Sequence, residues 1–72
     1  MMNQDIKLLD TVALLKVMPD QNLKIGQVGT VVEIFSDNDF EVEFTDKQGR
    51  TIALLPLKRA DLLVLRYEME VG

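Results

Sequence analysis

Residues 26–35 read "GQVGTVVEIF", two glycines followed by a β-branched and apolar run. Gly26 allows a bend that other residues resist, and Val31, Val32 and Ile34 favour an extended, half-buried backbone. The stretch therefore predicts a strand that begins at a turn, with Gly29 as a bulge or a close-packing position inside it. Downstream, "FEVEF" (Phe40–Phe44) alternates strictly, so Phe40, Val42 and Phe44 share one face and Glu41 and Glu43 the other. "TVALL", "TIALLPL" and "LLVLRYE" are three further strand candidates. "KVMPDQNLKIGQ", with Pro19, Asp20, Asn22 and Gly26, reads as a long irregular loop.

Two turns set the expected register. A three-residue loop Ser36–Asp37–Asn38, with Asn38 left-handed, pairs Ile34 with Phe40 and Val32 with Val42. In "DKQGR", Gly49 at the left-handed position pairs Phe44 with Ile52 and Val42 with Leu54. Both keep the apolar set inward, whereas a one-residue slip would bury Glu41 or Glu43. The expected fold is all-β: a small SH3-like barrel of about five antiparallel strands, with "KRAD" as a short helical turn before the last strand. An open β-meander that closes by dimerisation is the alternative; an OB-fold would need a longer chain and an inserted helix. Residues 1–72 are expected to form one domain, with a core over about 6–66 and flexible termini.

Composition narrows the chemistry. Twelve acids against eight bases give a net charge of −4, which opposes a phosphate backbone. No base interrupts the run from Glu33 through Asp37, Asp39, Glu41 and Glu43 to Asp46. The chain has no cysteine and no histidine, which removes disulfides, the usual thiol nucleophile and the commonest general base. A non-enzyme without cofactor or metal is expected. Asp37, Asn38, Asp39 and Glu41 could offer oxygen ligands, but they lack the spacing of a calcium loop and fit a turn better. The aromatic residues are too few for a proline-peptide groove or an aromatic cage. "MMNQDIKLLD" is not a secretory signal and no apolar run is long enough to cross a bilayer, so a cytoplasmic location is expected.

The register also predicts the outer face. Glu33 falls opposite Glu41, and Val31 opposite Glu43; on the next strand Leu55 lies opposite Glu41 and Ala53 opposite Glu43. The candidate protein-binding site is thus an acidic rim of Glu33, Glu41 and Glu43 around an apolar patch of Val31, Ala53 and Leu55. The ordinary alternative is that the acids serve only solubility.

"KIGQVGTVVEI" is similar to the KOW pattern, through Lys24, Gly26, Gly29, Val31 and Ile34, but its following hairpin carries acids where RNA binding would need bases. Taken together, "IKLLDTVALL", "GQVGTVVEI", "FEVEF", "DKQGRTIALL" and "DLLVL" resemble a family of short bacterial proteins, a domain of unknown function (DUF4926) frequent in cyanobacteria. Met18 departs from the acidic or aliphatic residue expected in the loop. The resemblance implies an SH3-like barrel, a bacterial cytosolic origin and no catalytic residue. Genes for such proteins beside another small protein would suit an antitoxin-like or immunity-like role. The expectation is therefore a non-enzymatic interaction module with a basic protein partner and no membrane. A KOW-like RNA- or ribosome-associated protein using Lys16, Lys24, Lys58 and Arg59 is the second reading. Self-assembly through the C-terminal strand "LRYEMEVG" is the third.

Overall fold

The computed structural model describes residues 5–65. Five antiparallel strands form one sheet: β1 (Thr11–Leu14), β2 (Val28–Ser36), β3 (Asp39–Thr45), β4 (Thr51–Lys58) and β5 (Leu62–Val64). Their order across the sheet is β4-β3-β2-β1-β5. Two short 3-10 turns, Pro19–Gln21 and Arg59–Asp61, complete the described residues. The strand number, the antiparallel pairing and the helical turn before β5 are as the sequence predicts.

All five strands feed one core. Val12 and Leu14, Val31, Phe40, Val42 and Phe44, Ala53 and Leu57, and Leu62 form a single buried cluster with Ile6 and Leu23. Both end strands thus contribute to the same buried cluster, β4 through Ala53 and Leu57 and β5 through Leu62. Each fully buried aliphatic or aromatic side chain contributes about 1.5–3 kcal/mol. Leu23 is the contribution that the loop reading missed. The turn at Pro19–Gln21 ends on Asn22 at φ 58°, and Met18 and Leu23 then bridge, which drives Leu23 inward until it is only 1% exposed.

Three bulges correct the expected register. On β2, Val31 pairs with Val42 and Glu33 with Glu41, leaving Val32 as the extra residue. Val31 therefore points inward and is fully buried, and Thr30, not Val31, lies opposite Glu43. On β4, Phe44 pairs with Ala53 and Thr45 with Thr51, so Ile52 is the extra residue and every later side chain changes face. Ala53 is buried and Leu55 packs against the core, while Ile52 and Leu54, expected inside, are exposed. Val31, Ala53 and Leu55 are thus core-side residues and not part of an outer patch.

The third bulge is at Phe35, between Ile34↔Phe40 and Ser36↔Asp39. The expected Ile34–Phe40 pair survives, but the extra residue is taken up in the strand rather than by a left-handed Asn38; among the described residues the left-handed non-glycine positions are Leu9 and Asn22. The Ser36 hydroxyl closes this turn, donating to Asp39 Oδ2 (2.8 Å) and accepting the Asn38 N–H (3.2 Å). The other turn is as expected, with Gly49 at φ +83°. The Asp46 carboxylate accepts the N–H groups of Gln48 and Arg50 and the Arg50 guanidinium, each at 2.9 Å. The segment proposed to pair between subunits lies, beyond Leu65, outside the described residues.

Candidate interaction surface

Strict alternation on β3 sends Phe40, Val42 and Phe44 into the core and Glu41 and Glu43 outward. The β2 bulge at Val32 leaves the far half of that strand in its expected phase, so Glu33 stands directly across from Glu41. The three predicted acids therefore share one face. Among the described residues no cation pairs with Glu33 or Glu41. Directly opposed like charges cost a few tenths of a kcal/mol or more. Glu43 is engaged, accepting the hydroxyl of Thr51. On the β4 side, the neighbours of Glu43 and Glu41 are Leu54 and Pro56. Leu54 is 51% exposed, so it supplies the apolar element that Ala53 and Leu55 were expected to give.

The outer face ends in a neutralised corner. Asp39, opposite Lys58, accepts its ammonium at 2.6 Å. That hydrogen bond holds the Asp39 carboxyl below its usual value of 3.8 and raises Lys58 above 10.5. Arg59 lies over the Phe40 ring at 5.8 Å from its centroid and donates through Nη2 to the Asp37 carbonyl at 2.6 Å. Lys16 pairs with Asp61 at 3.3 Å. Of the four bases assigned to the RNA reading, three are thus tied to other parts of the chain, and Lys24 stands apart in the first loop.

Pro56 and Asp61 shape the free edge of β4. Pro56 has no N–H, so its pairing with Glu41 is of the type whose backbone groups point away from β3. By the same alternation the Lys58 N–H points outward, and it is taken by Asp61 Oδ2 at 3.0 Å. The edge therefore lacks one donor and has another occupied, which blunts it as a template for an added strand.

Chemical groups of other kinds are sparse. Among the described residues no polar or charged residue is buried, and no group of three or more Asp, Glu, His or Cys is placed to hold a metal ion. Asp37 and Asp39, the oxygen donors weighed for calcium, are in the β2–β3 turn, where Asp39 is committed to Ser36 and Lys58. No helix is long and apolar enough to cross a membrane, among the described residues.

Comparison with known proteins returns a family model described as a domain of unknown function (DUF4926), matching residues 8–64. No curated protein and no solved structure matches the chain. The matched span runs from the residues before β1 to the last residue of β5 and so includes all five strands and the acidic face. The chain belongs to the DUF4926 family.

Proposed function

We propose that this protein is a non-enzymatic interaction module of the bacterial cytoplasm, whose acidic face binds a basic protein in the manner of an antitoxin or immunity protein. One observation carries the reading: Glu33 and Glu41 are held across from each other on paired strands, with Glu43 beside them, and no described cation relieves them. A partner that brings lysine or arginine to this face relieves a repulsion that exists in the free protein, so binding gains more than an ordinary surface pair would give. Leu54 and Pro56 add an apolar margin on the β4 side.

The alternative, an RNA- or ribosome-associated protein, draws less support. Its bases Lys16, Lys58 and Arg59 are engaged within the chain, and the hairpin after Gly29 is acidic.

The test is titration of the purified protein with the product of the neighbouring gene, at low and at high salt. The reading expects binding that weakens with salt and falls at least roughly tenfold in E33K/E41K/E43K, a variant whose changes are all on the surface. Unchanged binding by the variant at low salt would remove the acidic face from the account. A salt-dependent shift of RNA by the wild type would favour the alternative.

A further inference from the structure

β2 runs from Val28 to Ser36, but β1 accompanies only its first part. The last bonds between the two sides are Val31 N–H to Asp10 O and Leu9 N–H to Val31 O. Before β1 the chain leaves this edge through a turn at residues 7–10, closed by Asp10 N–H to Lys7 O. That turn holds Leu9 at φ 70°, a conformation that suits glycine better, and keeps its side chain in water, 69% exposed.

The backbone past Val31 is aimed at the side that β1 has left. Pro56 makes its pair with Glu41 the kind without hydrogen bonds, so the Glu41 N–H and C=O point to β2 and engage Glu33. By alternation the Phe40 groups point to β4, and the Ile34 N–H and C=O therefore point away from β3. Among the described residues no strand lies on that side to receive them. The Ile34 side chain is on the core side yet 42% exposed, and Glu33 beside it faces outward.

We infer that this stretch of β2 is where the partner docks, by adding an extended segment in which bases alternate with apolar residues. The inference rests on the acidic-face reading and deepens it, from contact with a charged face to strand addition. In an added strand, the residue opposite Ile34 is hydrogen-bonded to it and points inward, where an apolar side chain covers Ile34. The residue opposite Glu33 points outward, in the pairing that brings side chains closest, and a base there is also drawn by Glu41 behind it. Bulges at Val32 and Phe35 bracket Ile34, so the backbone bonds are few and the charges decide the occupant. A second copy pairing through the same stretch would bring another Glu33–Glu41 pair to a short edge and add repulsion. The residues after Leu65 hold two acids and one base, so charge does not draw them there either.

The test is an NMR titration of the full chain, at low salt, with a synthetic octapeptide of alternating lysine and valine. Amide shifts should centre on residues 32–35 and on Leu9, and exchange of the Ile34 N–H should slow at least roughly tenfold at saturation. N-methylation of the valine amides, which face β2, should weaken binding at least roughly tenfold more than N-methylation of the lysine amides, which face solvent. L9G should weaken binding without lowering the urea midpoint, because glycine accepts the left-handed turn; undiminished binding would remove Leu9 from the docking edge. An Ile34 N–H already protected in the free chain would show that the chain covers its own edge, and would overturn the inference. Equal binding of the two methylated peptides, or no binding of the parent peptide, would overturn it too. In either case the loss of the neighbouring gene product's binding in E33K/E41K/E43K would still uphold the acidic face, and only strand addition would fall.

Discussion

Gly29→Ala isolates the physical reason for the glycine at the centre of "GQVGTVVEIF". A Cβ at this position would meet Phe44 Cδ1 at 2.8 Å, the Glu43 carbonyl oxygen at 2.9 Å and Phe44 Cε1 at 2.9 Å. Carbon pairs prefer about 3.5–4.0 Å, so the methyl must displace either the ring or the strand. The ring is fully buried in the core, and the carbonyl belongs to β3, paired on both sides. Overpacking of this kind costs about 1–3 kcal/mol. Replacing glycine by alanine in a strand returns about 0.5–1 kcal/mol. Taking the middle of each range, the expected net loss is about 1 kcal/mol, or roughly 4–8 °C in Tm for a domain of this size. Urea denaturation of Gly29→Ala, Phe44→Leu and the double variant measures it as a cycle. The cost of Gly29→Ala should fall in the Phe44→Leu background but not vanish, since the Glu43 carbonyl remains. Gly49→Ala is the control: it has open space but φ +83°, so its cost of about 1–2 kcal/mol comes from the backbone alone and is indifferent to Phe44. Full stability of Gly29→Ala would refute the close-packing account and return the glycine to the KOW-like reading.

Acid stability should depend on two carboxylates. The Lys58 hydrogen bond lowers Asp39, and the Arg50 N–H, first among several donors, lowers Asp46, both from 3.8. Their contribution is complete above that unfolded value and is lost as the pH falls through the lower folded values. Urea midpoints from about pH 5 to pH 2 should therefore decline less steeply in D39N/D46N than in the wild type; parallel curves would contradict the two contacts. Lys58, raised above 10.5, has the opposite sign, its share present below 10.5 and lost as the pH rises through the folded value. Glu41→Gln removes one side of the Glu33–Glu41 repulsion. It should raise stability by a few tenths of a kcal/mol at low ionic strength, and the gain should fade in about 1 M salt. A loss at low salt would show that the pair is not repulsive.

The parts of the fold legible in the sequence are those where one strong local rule acts. "FEVEF" alternates without exception and gave its burial correctly, and Gly49 took the left-handed position that its turn requires. Bulges made the rest illegible, because they add a residue without a compositional mark. Propagating the pairing of β4 from the "DKQGR" turn carried an error of one residue past Ile52 into every later position. The correct phase was readable from the other end of that strand. Lys58 resists burial and Pro56 belongs at an edge, so Leu57, Leu55 and Ala53 had to face inward. The acids survived the same error because Glu41 and Glu43 lie on β3, which has no extra residue between Asp39 and Phe44.

The bulge at Val32 also divides the outer surface. Before it, β2 lies between β1 and β3, and Val28 joins a neutral row with Ala13 and Leu63. Past it, β1 has ended, since Thr11 pairs with Thr30 and Asp10 reaches only Val31. Among the described residues, the far half of β2 therefore has β3 as its one strand neighbour. That explains why Ile34, although paired with the buried Phe40, remains 42% exposed, and why Phe35 is 53% exposed. Glu33 and Glu41 face each other across this second half. A basic group arriving at that open end would relieve charge that the fold holds together.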